Sequence, residues 1–388
     1  MRKLSILIFA LLAGCSSLTD LKQDISERMF GPELANPPTP LTEIKPTMTA
    51  KVVWSASIGK AEGYSYTPAV DGNAIFTAST NGEITRFDLA SGKQVWRINA
   101  GETISGGVGA GENLVLVGSN EGMVLAFDQN GKSLWKAKVS SEVLSAPKIA
   151  NGVVVVRSGD SRIYGLSAVD GKRKWVYERA TPALVLRSNA GVALADGAAY
   201  VGFAGGKMVA IKADDGRLLW EASVALPKGV TEIERIADIT SLPVVEGRMV
   251  YAAAFQGRVA AVDRTNGRVT WTSDLSSYNG LGVDYSRLYV AGGDGTIYSL
   301  DNGSGKSYWK QDKLLYRQVS APVPVSGTVA VGDLEGYVHF LSTDDGSFVA
   351  RIQTNNSPVM AQPIMLGDSR LLVQTAGGGV YIISLSPK

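Results

Sequence analysis

The chain has 388 residues, of which 45% are hydrophobic and 19% charged, and its formal net charge is +2. That length and apolar content support a sizeable packed core and exclude wholesale disorder. Arg2 and Lys3 carry the excess charge, so the balanced remainder excludes bulk electrostatic binding to nucleic acid or anionic lipid.

The first fifteen residues differ from the rest. "MRK" is basic, "LSILIFALLA" (Leu4 to Ala13) is apolar, and Gly14 and Cys15 follow. A basic head, a short apolar run and small residues before a break make a secretory signal, and the run is too short to span a bilayer stably. Cys15 is the only cysteine, so no disulfide framework is available. The form L-A-G-C resembles the lipobox of bacterial lipoproteins. That resemblance implies removal of residues 1–14, a diacylglyceryl group on the Cys15 sulfur, and acylation of the new amino terminus. Several acyl chains hold a protein at a membrane without a transmembrane helix. Ser16 and Ser17 stand where an aspartate would favour inner-membrane retention, so the resemblance places the protein at the outer membrane, facing the periplasm. Residues 15–50 read as the lipidated cysteine and a tether. "GPELANPPTPLTEIKPTMTA" is proline-rich and has no apolar period.

From Lys51 to Lys388 the chain repeats. G-x-x-x-W occurs as "GKQVW", "GKSLW", "GKRKW", "GRLLW", "GRVTW" and "GKSYW", ending at Trp96, Trp135, Trp175, Trp220, Trp271 and Trp309; "GSFVA" ends at Ala350 instead. Successive spacings are 39, 40, 45, 51, 38 and 41 residues, a period that means a propeller, solenoid or array. Eight strand patterns precede or follow these motifs, from "GEITRFDL" to "GGVYIISLS". The unpaired tryptophan strand "KVVWSASIG" at the start completes the last unit. Apolar runs such as "NLVLVGS" and "GVVVVRS" alternate with turn pairs such as Asn130-Gly131, Asp170-Gly171 and Asp215-Gly216. The expected fold is all-β: an eight-bladed β-propeller of four-stranded antiparallel blades, closed by pairing of the N- and C-terminal strands. The tryptophans are read as packing residues between blades.

Enzymatic chemistry is scarce. His339 is the only histidine, and its strand context favours a structural over a catalytic reading. No metal site follows from histidine and cysteine spacing. The glycine-rich stretch Ser105 to Asn113 lacks a P-loop lysine and a following helix. Asp294 and Asp333 suit turns better than a cation. Two long spacings mark insertions: Thr181 to Gly197, with Leu184, Val185, Leu186 and Arg187, and Ala225 to Pro243, with Glu232, Glu234, Arg235 and Asp238. Both join neighbouring units, so they are expected side by side on one face. Apolar anchors and an arginine beside an acidic loop suit a protein interface better than a fold-back onto the blade.

The G-x-x-x-W repeat resembles the propeller of pyrroloquinoline-quinone (PQQ) dehydrogenases. That resemblance raises a PQQ-dependent oxidoreductase as the alternative, although Cys15 lies outside the propeller and no adjacent cysteine pair exists. A glycan-binding propeller is a third reading. "PALVLR" (Pro182 to Arg187), "TEIERIAD" (Thr231 to Asp238) and "GDLEGYVHFLSTDDGSFVA" (Gly332 to Ala350) are more specific, and with the lipobox they resemble the BamB family, lipoprotein subunits of the outer-membrane β-barrel assembly (BAM) machine. The resemblance covers essentially the whole mature chain. It implies a non-catalytic scaffold without cofactor or metal that binds the POTRA domains of BamA, works with other BAM subunits, and assists unfolded outer-membrane proteins. Carried over by motif, the contact residues are Leu184, Leu186, Arg187 and Asp238. Some members carry a second acid two positions after that aspartate, where this sequence has Thr240.

Overall fold

Every repeat folds as an antiparallel sheet of four strands, because its short β-branched runs are cut by turns too tight for helices. The computed structural model describes residues 36–367 and 369–388. The signal segment, Cys15 and the tether up to residue 35 lie outside the described residues.

Seven sheets are sequential: blades 1 to 7 span 69–99, 104–138, 148–177, 193–223, 244–273, 280–311 and 323–353. Blade 8 joins Ile364–Leu366, Arg370–Gln374 and Gly379–Pro387 from the end of the chain to Met48–Ser57 from its start. That closing pair runs from Met48 opposite Pro387 to Ser57 opposite Gly379. The ring therefore has no free edge between its first and last blades. Among the described residues the only helical element is the 3-10 turn Ala204–Gly206.

The middle strands of each blade are covered on both faces, as in Val153–Arg157 and Thr328–Gly332, where every residue is buried. The core therefore lies between blades. One cluster joins Val153 and Val155 of blade 3 to Val201 and Val209 of blade 4. The first strands are short, three residues in most blades, and the first strands of neighbouring blades lie side by side around the central channel.

Both ends of G-x-x-x-W are explained by one contact repeated around the ring. Each tryptophan sits on the fourth strand of its blade, and its indole N–H donates to a backbone carbonyl of the next blade: Trp135 to Ala168 at 2.9 Å, Trp175 to Ala213 at 2.9 Å and Trp220 to Arg264 at 2.8 Å. The ring lies on the motif glycine of that next blade. Gly216 has φ +75°, and a Cβ there would lie 2.7 Å from the Trp175 ring. Glycine is needed at Gly216 twice, for its positive φ and for the approach of the ring. The pairing of third and fourth strands shifts register next to each tryptophan, as after Gly165 opposite Trp175. Such a bulge turns the side chain toward the neighbouring blade.

Ala350 breaks the pattern for a topological reason. A tryptophan there would need the hairpin glycine of blade 8. The third and fourth strands of blade 8 come from opposite ends of the chain, so no hairpin exists. The entry segment occupies the position instead. Thr47 N–H donates to the Val349 carbonyl at 3.0 Å, Arg351 donates to the Thr42 carbonyl at 3.0 Å, and Leu41 packs against the apolar cluster that includes Trp309 and Leu341. The compact unit begins at Leu41 and the first strand at Met48, so a boundary at Lys51 falls inside that strand. The proline-rich composition conceals this docking, because it uses backbone groups and one leucine rather than a period.

Candidate partner-binding face

The two insertions are the connections between blades 3 and 4 and between blades 4 and 5, and they lie together. Asp238 joins them. Its carboxylate accepts the Leu186 N–H at 2.8 Å and the Gly205 N–H at 3.0 Å. Ser188 adds a hydroxyl bond to the Thr240 carbonyl at 3.2 Å. Beneath them Ile239 packs against Gly202, where a Cβ would stand 2.2 Å from the isoleucine, and its N–H reaches the Phe203 carbonyl at 3.1 Å. These bonds run from loop to loop and from loop to blade, so both connections are pinned to the propeller.

Asp238 is only 4% exposed. The sequence reading set it among the contact residues, but its carboxylate faces inward and orders the loops. Arg157, buried below it, donates to the Ala190 carbonyl at 3.2 Å and stacks 5.6 Å from the Phe203 ring. Burial pulls the Arg157 pKa down to about 10, and the attraction of Asp238 opposes that fall. Thr240, two positions further on, is also buried.

The outer surface of the pair exposes apolar side chains among the charges of Arg187, Lys228, Glu232 and Arg235. Leu184 is 44% exposed, Ile233 66% and Val230 96%, with Val185 and Leu226 also exposed. Leu186 is half-buried, and Arg187 is exposed with a loose ion pair to Glu142 at 3.7 Å. A hydrogen-bonded turn over residues 232–235 presents Ile233. Its start is a capping box, in which Thr231 Oγ1 accepts the Glu234 N–H at 3.2 Å and Glu234 accepts the Thr231 N–H at 3.1 Å. Bonds from the Thr231 and Val230 N–H groups hold the Glu234 carboxyl below its usual range. The sequence reading treated this loop as charged and missed Val230 and Ile233. The T-x-x-E spacing was the available signal: a cap occupies Glu234 and leaves the intervening isoleucine outward. Exposed apolar side chains on a pinned platform suit protein docking better than catalysis.

His339 belongs to a closed network in blade 7. Its Nε2 lies 2.8 Å from Asp333 Oδ2, and Arg351 Nε donates to its Nδ1 at 3.0 Å. The arginine fixes Nδ1 as acceptor, so Nε2 carries the proton and the ring is neutral. Arg317 is buried against Asp333 at 2.8 Å and also bonds Glu335. Two guanidinium groups thus balance two carboxylates around a neutral imidazole. Burial alone would raise the Asp333 pKa, but the His339 bond, the Tyr337 N–H and Arg317 together hold it low. Burial lowers the His339 pKa against the pull of Asp333. Both folded-state values are depressed, so both contributions to stability are complete above the unfolded pKa values, about 6.5 for histidine and about 3.9 for aspartate, and are lost as pH falls. The wild-type melting temperature is expected to fall between about pH 7.5 and about pH 5. His339→Gln, which keeps a donor and an acceptor but cannot titrate, is expected to flatten that fall in paired melts.

Asp333 is therefore committed to its protein partners, and Asp294 accepts the Thr296 N–H at 2.9 Å within its turn. Among the described residues no group of three or more His, Cys, Asp or Glu side chains is placed to hold a metal.

The family model described as "Outer membrane protein assembly factor BamB" matches residues 42–105, 80–311 and 293–386. The chain belongs to the BamB family. A BamB of Burkholderia pseudomallei is 40% identical over 97% of this chain and 95% of that protein. The crystal structure of BamB from Moraxella catarrhalis superposes with a TM-score of 0.80 at 27% identity, over 87% of this chain and all of that one. A quinohemoprotein alcohol dehydrogenase from Comamonas testosteroni superposes with a TM-score of 0.69 at 14% identity, over 86% of this chain and 76% of that one, a likeness of fold alone. The BamB likeness is therefore the one that bears on function, and the oxidoreductase alternative is not favoured.

Proposed function

We propose that this chain is a non-catalytic assembly factor for outer-membrane β-barrel proteins, acting as a scaffold of the BAM complex. Family membership along nearly the whole chain supports the role. The docking surface is the loop pair, with Leu184, Leu186 and Arg187 as contact residues for the POTRA domains of BamA and Asp238 as the residue that holds them in place. The observation that carries this reading is that Leu184 and Val185 are exposed directly before Leu186, whose backbone N–H is held by the buried Asp238 carboxylate. Lipid on Cys15 anchors the chain at the outer membrane on the periplasmic side. Delivery of unfolded outer-membrane proteins follows from placing the propeller beside the barrel subunit.

Affinity purification of the lipidated protein from its own envelope tests the reading. BamA and other BAM subunits are expected to co-purify, and Leu186→Ala with Arg187→Ala is expected to reduce their recovery while the propeller stays folded. Unchanged recovery with a folded double variant overturns the loop assignment. Incorporation of labelled fatty acid is expected to disappear in Cys15→Ala, and its persistence contradicts the anchor.

A further inference from the structure

Arg351 joins the buried histidine of blade 7 to the entry segment. Its Nε donates to His339 Nδ1 at 3.0 Å, and its Nη1 donates to the Thr42 carbonyl at 3.0 Å. The two side chains stand opposite each other on the third and fourth strands. Few other ties hold residues 41–47: the Thr47 N–H bond to the Val349 carbonyl and the packing of Leu41. Glu43, Lys45 and Pro46 are exposed. The remaining arm of the guanidinium, Nη2, is buried without a hydrogen-bond partner. Docking therefore leaves a charged donor unsatisfied that water would satisfy on release.

The bond from Arg351 to Nδ1 exists only while His339 is neutral. An imidazolium donates from both nitrogens, so protonation turns the acceptor into a donor facing a donor and sets two cations side by side. The charged groups acting on the ring are Asp333 from the adjoining turn, Arg351 from the fourth strand and Arg317 from the connection out of blade 6. Asp333 is already bonded to Nε2 and to Arg317, and Glu335 is bonded to Arg317. Asp312 and Lys313 on that connection, like Glu43 and Lys45 on the entry segment, are exposed. The Tyr337 and Phe348 rings lie about 6 Å from the imidazole and bring no charge. No second anion is therefore placed to hold Arg351 beside an imidazolium.

We propose that residues 41–47 are a strap latched by neutral His339 through Arg351, and that the strap opens when the imidazole takes a proton. With Arg351 swung out, Nδ1 is free and a repelling charge is gone, so the open state binds the proton more tightly and acid favours it. Burial lowers the pKa of the docked imidazole, so opening sets in below the ordinary histidine value of about 6.5. The blade 8 ladder from Met48 to Ser57 makes no use of the latch, so the ring stays closed. Opening adds up to about 25 Å of extended chain on the N-terminal side. Where Cys15 carries the anchor proposed above, this lengthens the reach of the propeller from the membrane; the latch itself does not depend on that anchor.

A nitroxide label on Lys45→Cys, in the full chain with Cys15→Ala, reads the strap directly, because Lys45 is exposed and the label is then the only modified thiol. The label is expected to be immobile at about pH 7.5. Below about pH 6.5 a mobile component should grow reversibly, with the open-to-docked ratio rising about tenfold per pH unit, while far-UV circular dichroism stays constant. His339→Gln is expected to keep the label immobile over the same range. Arg351→Met, which removes the link without touching the histidine, is expected to free the label already at about pH 7.5 in a protein that still melts cooperatively. The proposal is overturned if the wild-type label stays immobile until the blades themselves unfold, if His339→Gln opens at the wild-type pH, or if a folded Arg351→Met protein holds the label immobile.

Discussion

Trp175→Ala is expected to destabilise the propeller by about 3–5 kcal/mol, the range for deleting a large buried aromatic. Trp175 is 8% exposed and lies between blades 3 and 4. Its removal empties the space over Gly216 and leaves the Ala213 carbonyl without its 2.9 Å partner. The reciprocal change, Gly216→Ala, places a methyl 2.7 Å from the ring at φ +75°, and is expected to cost about 1–3 kcal/mol from backbone strain alone. The two changes act on one contact, so the double variant should cost less than their sum. Chemical denaturation of the four proteins measures this. Additive losses would show that ring and glycine do not form a single unit.

The second large effect is expected from Asp238→Ala. It removes the acceptor of the Leu186 and Gly205 N–H groups and leaves Arg157 buried without its countercharge. Leaving a buried donor unsatisfied costs about 1–3 kcal/mol, and Asp238→Ala leaves two. Here the loss should fall first on the loops, because the blades on either side keep their ladders and their tryptophan contacts. Hydrogen exchange should therefore rise at residues 183–188 and 229–241 while the strand Val153–Arg157 stays protected. Asp238→Asn keeps one acceptor oxygen and should show a smaller change in the same segments. Uniform deprotection of blade and loop would show that Asp238 supports the whole fold instead.

The propeller was legible in the sequence because its blades are joined by a local motif whose two ends serve successive contacts. Tryptophan needs a glycine one repeat later, so both recur at the same period. Closure was legible for the same reason, since "KVVWSASIG" carries a tryptophan without a preceding repeat. The missing tryptophan at Ala350 was not interpretable in that way. Its cause is the absence of a hairpin in blade 8, a property of where the chain is cut rather than of local pattern. The insertions were legible as lengthened spacings, and Leu184 and Arg187 as unusual loop residues. The direction of the Asp238 carboxylate was not, because an aspartate in a charged loop has the same sequence signature whether it faces water or two backbone amides.

Affinity between the purified soluble chain and the POTRA domains of BamA tests the central claim most directly. Leu184→Asp changes an exposed side chain that makes no part of the core, so the propeller should melt at the wild-type temperature. A charge at the centre of an apolar contact is expected to cost about 2 kcal/mol or more, roughly a 30-fold loss of affinity. A folded Leu184→Asp protein that binds as tightly as wild type would contradict the assignment of this face.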